Sequence, residues 1–257
     1  MCLVGIKFLR SSNGKFHLTV AANRDERHDR PAAAAAWWSD YPGIFAGKDL
    51  VADGTWLGAT AGGRFAAVTN VRSPATIGAE PAPMSRGDIT LQFLAGTESG
   101  QSFCENLIQH ADAYGGFNFV AWDGQELWWC CNQGQPAQQL KSGVYAVSNG
   151  SLNSPWPKSR ALAGTLETVQ DVRPLLAALR NSEVPNGQLP NTGVGPELER
   201  RLAPAFILGT EYGTRCSTVI TLDSTGGHFT EVSFDRTGAE IRQVSTSLNA
   251  RESERRH

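Results

Sequence analysis

The chain has 257 residues, 40% of them hydrophobic and 19% charged, an ordinary globular balance that predicts a packed core. Its net charge of -2 contains no basic block, so the electrostatic footprint of a nucleic-acid binder is missing. No run of about 20 apolar residues occurs, which excludes a helical membrane span.

The first 15 residues lack the apolar core and small-residue cleavage site of a signal peptide, so the chain is expected to act where it is made. Five cysteines, at positions 2, 104, 130, 131 and 216, show no CxxC spacing. Five histidines are scattered. Neither set predicts a metal site or a disulfide framework, and free thiols suit a cytoplasmic location.

In chain order, Cys2–Leu9 reads as a strand, Ser11–Gly14 as a turn, and Phe16–Ala22 as a second strand ending at Asn23. This hairpin brings Asn23-Arg24-Asp25-Glu26 back towards residue 2. Pro31 and five alanines follow, and the Gly/Pro content after Trp38 argues for an irregular loop or one short turn over 30–36. Thr55–Thr60 and Arg64–Val71 read as strands joined by Gly62-Gly63. Ser85–Leu94 and Gly100–Ala113 carry helical periodicity. Phe117–Asp123 and Glu126–Asn132 form a hairpin, and Gly143–Ser148 is a short strand. Helices are predicted at Ser159–Glu167, Asp171–Arg180 and Pro196–Leu202, with a polar loop over 181–195. Cys216–Leu222 and His228–Asp235 close the pattern as a hairpin. Strands in hairpins with helices in blocks between them predict an antiparallel α+β layering rather than a doubly wound sheet. One domain is expected over 1–245, followed by a disordered tail over 246–257.

The chemistry-bearing candidate is Cys2. Removal of Met1 would give it both a thiol, with a pKa of about 8.5, and a free α-amine near 8. Such an amine can act as base for its own nucleophile. Taken alone, a cysteine at a strand start is more simply a small apolar residue. Arg24 is expected to favour the thiolate, Asp25 or Glu26 to hold the amine, and Asn23 to bond substrate or backbone. The bland alternative is a charged turn closing a hairpin. Asn70 and Asn149 each end a strand, where an amide can donate to a developing oxyanion or bond its own turn. Arg215, before the last hairpin, either pairs with a carboxylate near the site or caps a strand.

Several stretches together resemble the NRDE family, the homologues of transport and Golgi organisation protein 2. They are Met1-Cys2-Leu3, Ala22 to Glu26, Gly54-Thr55-Trp56-Leu57-Gly58, Thr69-Asn70-Val71-Arg72, Ser85-Arg86-Gly87, Gly116-Phe117-Asn118, Ser148-Asn149-Gly150, Pro155-Trp156-Pro157-Lys158 and Thr214 to Thr218. The resemblance covers residues 1 to about 235. It implies a four-layer αββα sandwich of two antiparallel sheets, like that of N-terminal-nucleophile hydrolases. The order of parts is similar to that of cysteine acylases, although Arg24 and Asp25 are adjacent here and two residues apart there. By that likeness Cys2, Arg24, Asp25, Asn70, Asn149 and Arg215 are catalytic, with Asn23, Glu26, Trp56 and Arg72 on the substrate side. Whether Asn23 and Glu26 or Arg24 and Asp25 face the thiol stays open.

The implied activity is hydrolysis of a linear amide or thioester of a small acyl substrate, without a cofactor. The family's links to haem, lipid and acyl-coenzyme A handling imply the alternative, a carrier that binds such a ligand in the same cleft.

Overall fold

The computed structural model describes residues 2–74 and 82–249. Alternation of apolar residues with a period of two organises most of it into two antiparallel sheets. The first sheet has the order β10-β1-β2-β11-β12-β13, with β1 Cys2–Arg10, β2 Phe16–Arg27, β10 Gly143–Val147, β11 Tyr212–Asp223, β12 Gly226–Phe234 and β13 Glu240–Ser247. The second runs β3 to β9 in sequence order: Ala32–Trp37, Ile44–Asp49, Leu57–Thr60, Phe65–Asn70, Phe117–Trp122, Leu127–Cys131 and Gln135–Leu140.

One apolar layer fills the space between the sheets. Val4, Ile6, Phe8, Leu18, Val20 and Ile220 of the first meet Leu57, Phe65, Val120, Trp122 and Trp129 of the second. The alternate residues face outward and are covered by helices. Helices α1 Arg86–Ala95 and α2 Gly100–Gln109 lay Ile89, Phe93 and Leu107 on the second sheet. On the first, α3 Pro157–Thr168 and α4 Val172–Leu179 lay Leu162, Leu166, Leu175 and Leu179 over Leu3, Ala21 and Val219. The result is the αββα arrangement that the family resemblance implied.

Four strands differ from expectation. The alanine stretch is a strand, β3, not a loop, because β4 pairs along it and Ala35 is buried between the sheets. β4 itself, the polar β9 and the final β13 went unread, since edge and Gly-containing strands lack alternation. β13 carries the domain past 245, and Leu248 is buried behind it. Residues 250–257 of the expected tail lie outside the described residues. β2 also runs five residues beyond Ala22, because β11 pairs with it as far as Arg27. The Asn23–Glu26 run therefore lies in a central strand rather than in a turn. Among the described residues no helix is long and apolar enough to cross a membrane.

Candidate active site

Strand pairing builds the site. Cys2, the first residue of β1, lies directly across from Arg24 of β2, which in turn lies across from Cys216 of β11. Directly opposed residues share a sheet face, so this row points between the sheets. Asp25 lies one step past the end of β1, where the α-amine of Cys2 would sit once Met1 is removed. Past Arg24 the β2–β11 register shifts, so that Thr214 opposes Asp25 and Arg215 is the extra, bulged residue.

Cys2, Arg24, Asp25, Glu26, Trp56 and Asn70 line one cavity of about 280 Å³. Asp49 of β4 and the Ser85-Arg86-Gly87 start of α1 complete its wall. The approach of α1 depends on two glycines. A Cβ on Gly54 would lie 2.6 Å from the carbonyl carbon of Gly87, and the Thr55 N–H donates to the Gly87 carbonyl at 3.3 Å. Two of the family-like stretches thus touch backbone to backbone.

The Arg24 guanidinium is held on both sides. Its Nη2 donates to Asp49 Oδ2 at 3.0 Å, and its Cζ stands 4.8 Å from the Trp56 ring centre. Arg30 Nε donates to the same Asp49 oxygen at 2.6 Å. Burial opposes charge on Asp49, but Arg30 and the N–H groups of Val51 and Ala52 outweigh it and hold the carboxyl below its ordinary value. The Cys2 thiol behaves otherwise than the sequence suggests. Arg24 pulls its pKa down, yet burial, joined by the carboxylates of Asp25 and Glu26, leaves it raised.

Asp25 is buried and accepts from Thr214 Oγ1 at 2.7 Å. Burial raises its pKa against the pull of a buried ammonium, Lys158 at the start of α3. Lys158 Nζ donates to the Leu202 carbonyl at 3.0 Å, and burial lowers its pKa. Lys158 stands in the Pro155–Lys158 stretch, where the sequence alone assigns it no function. Its only sequence signal is a lysine at N2 of a helix, where a cation is disfavoured by the helix dipole.

Other expected residues lie elsewhere. Asn23 turns to the helical face, where Nδ2 donates to the carbonyls of Leu179 and Ala205 at 2.8 and 2.7 Å and Oδ1 accepts from Ser217 Oγ at 2.6 Å. Its amide ties α4 and the segment at Ala205 to β2, and β2 to β11. Arg24 therefore faces the cavity with Cys2, while Asn23 does not. Asn149 is fully buried and its Nδ2 donates to the Asn70 carbonyl at 2.8 Å, bracing Asn70 from behind. The Asn70 side-chain amide itself has no hydrogen-bond partner among the described residues. Arg72 pairs with Glu199 at 2.8 Å and binds Thr192 Oγ1 at 2.7 Å, outside the cavity wall. Arg215 Nη1 donates to the carbonyls of Arg27 and Arg30 at 2.9 and 3.1 Å. It lines a neighbouring cavity of about 130 Å³ with Cys216 and Glu231, on the far side of Arg24 from Cys2.

The family model described as transport and Golgi organisation 2 matches residues 1–236. The chain belongs to that family. A transport and Golgi organization protein 2 homolog of Bos taurus is 33% identical, over 97% of this chain and 98% of the relative. A Mus musculus homolog is 32% identical over 88% and 90%. Among solved structures, the Caenorhabditis elegans ortholog of N-acylethanolamine-hydrolyzing acid amidase is similar with a TM-score of 0.42 and 11% identity, over 85% of this chain and 92% of that one. Among the described residues of this family member, no cluster of three or more His, Cys, Asp or Glu could hold a metal ion.

Proposed function

We propose that this protein is a cysteine amidohydrolase whose nucleophile is the thiol of Cys2, exposed as the chain's N-terminus by removal of Met1. One observation carries the reading: Cys2 opens a strand inside a cavity, with Arg24 across from it, Asp25 one step beyond on the amine side, and the uncommitted amide of Asn70 in the same wall. The α-amine takes the thiol proton as sulfur attacks the carbonyl carbon of an amide. Asn70 donates to the oxyanion, a contact worth about 3 kcal/mol of barrier in other hydrolases. The amine returns the proton to the leaving nitrogen, the C–N bond breaks, and a thioester remains. Water, deprotonated by the same amine, then releases the acid and the thiol. Asp25, itself held by Thr214, orients the amine. A thioester substrate follows the same path with a thiol leaving group.

The test joins intact mass to turnover. Protein shortened by one methionine is expected to hydrolyse a panel of N-acyl anilides and acyl thioesters, and Cys2→Ala to fold but lack turnover. Unchanged turnover in Cys2→Ala removes the nucleophile from the reading.

A second reading, a carrier for a lipid or acyl-coenzyme A, is supported by a neighbouring groove of about 390 Å³. Leu198, Leu202, Ile207 and Leu208 line it, and it shares Glu26 and Asn70 with the Cys2 cavity. Saturable binding of palmitoyl-coenzyme A without any product is its expected signature. A flat titration removes it. Haem, the other ligand that the family resemblance implied, enters the same titration.

A further inference from the structure

Three guanidinium groups and three carboxylates line the Cys2 cavity, and one of the carboxylates, Asp25, also faces the buried ammonium of Lys158. The guanidinium groups are those of Arg24, Arg30 and Arg86. Arg24 and Arg30 share one oxygen of Asp49. Asp25 is directed to Thr214 and the ammonium of Lys158, and Glu26 accepts the backbone N–H of Arg27 while its charge acts on Arg86. Arg86 donates through Nε to the Gly116 carbonyl at 2.9 Å and has no ion-pair partner among the described residues.

Two further features favour an anion there. Arg24 is 4% exposed, and its Nη1 is buried with no hydrogen-bond partner among the described residues. Leaving a donor of a buried cation unpaired is costly, and such groups are paired in nearly all folded proteins. The second is α1, a ten-residue helix whose first turn, Arg86 and Gly87 after the cap Ser85, also lines the cavity. The positive end of its dipole therefore adds to the same field. The N–H groups of Gly87 and Asp88 are already taken by Ser85 Oγ and the Ser85 carbonyl. Recognition there falls to the guanidinium groups, whose planar fork matches a carboxylate.

We infer that the cavity binds the free carboxylate of a small acyl group, held by Arg24 and Arg86, so that the substrate is the monoamide or monothioester of a short dicarboxylic acid. The substrate assignment rests on Cys2 as nucleophile; the carboxylate subsite does not. A neutral acyl chain of the same length would leave Arg86 without an anionic partner and Arg24 with Asp49 alone.

The experiment is calorimetric titration with glutarate and with the neutral isostere glutaramide, at low chloride, in wild type and in Cys2→Ala. Glutarate is expected to bind both proteins alike and glutaramide neither. Arg86→Gln is expected to weaken glutarate about tenfold, the value of one charge-assisted hydrogen bond. Should Arg86→Gln fail to fold, Asp49→Asn gives the opposite sign. It frees Arg24 and Arg30 from their shared carboxylate and is expected to tighten glutarate several-fold. Equal binding of glutarate and glutaramide, or no effect of either variant in folded protein, overturns the subsite. Binding of inorganic phosphate tenfold tighter than glutarate overturns the carboxylate assignment. Glutarate binding at Arg86 without hydrolysis of glutaryl anilide supports the subsite and counts against the hydrolase reading. Hydrolysis of butyryl anilide without glutarate binding does the reverse.

Discussion

Cys2 and Arg24 face each other across the first two strands, and Arg24 is gripped in turn by Asp49 and the ring of Trp56. The cation beside the thiol is therefore fixed before any ligand arrives. It does not make the thiol acidic, because burial outweighs it. Alkylation of Cys2 by iodoacetamide is expected to rise with pH through an apparent pKa above the usual thiol value of about 8.5. Arg24 lowers that pKa, so Arg24→Gln moves it further up. At neutral pH the thiolate fraction falls as the pKa climbs, and the alkylation rate of Arg24→Gln falls with it. A profile centred below pH 8 in wild type contradicts this.

Arg215 gives a contrast. The bulge that makes it the odd residue of β11 turns it onto the carbonyls of Arg27 and Arg30, away from the thiol. Arg215→Ala is expected to cost about 1–2 kcal/mol in urea denaturation, with the pH profile of Cys2 alkylation unchanged. A shifted profile would place Arg215 electrostatically at the site.

Thr214 links the site to the chain behind it. Its hydroxyl donates to Asp25 and accepts the N–H of Ile207 at 2.8 Å. Thr214→Val keeps the shape and leaves both groups buried without that partner. A loss of about 2 kcal/mol is expected from denaturant midpoints at unchanged slope. A neutral result means that Asp25 and Ile207 find new partners.

Gly54 has no room for a side chain against Gly87. Gly54→Ala forces backbone apart at the start of α1 and is expected to destabilise by about 1–3 kcal/mol. Because Ser85, Arg86 and Gly87 move with the helix, cavity accessibility to alkylating reagents should change as well. Unaltered stability and reactivity would show that α1 is not seated by this contact.

The sequence by itself determined the antiparallel layering and the return of Asn23–Glu26 towards Cys2. Hairpins of alternating residues separated by helices lead to an antiparallel α+β layering, and Cys2, Arg24, Asp25 and Asn70, grouped by the family resemblance, line one cavity. It did not determine which face of β2 each polar residue takes. That parity depends on the register in which β2 pairs with β1 and with β11, which is bulged at Arg215, and the pairing of β2 with β11, some 190 positions on, leaves no local trace. Asn23 went to the helices and Arg24 to the thiol through those two registers. The edge strands β3 and β9 and the last strand β13 were decided the same way, by partners rather than by propensity. Arg86, Lys158 and Asp49 entered the site only through tertiary structure. Their roles come from burial and unmatched charge, which exist once distant segments fold together and displace water.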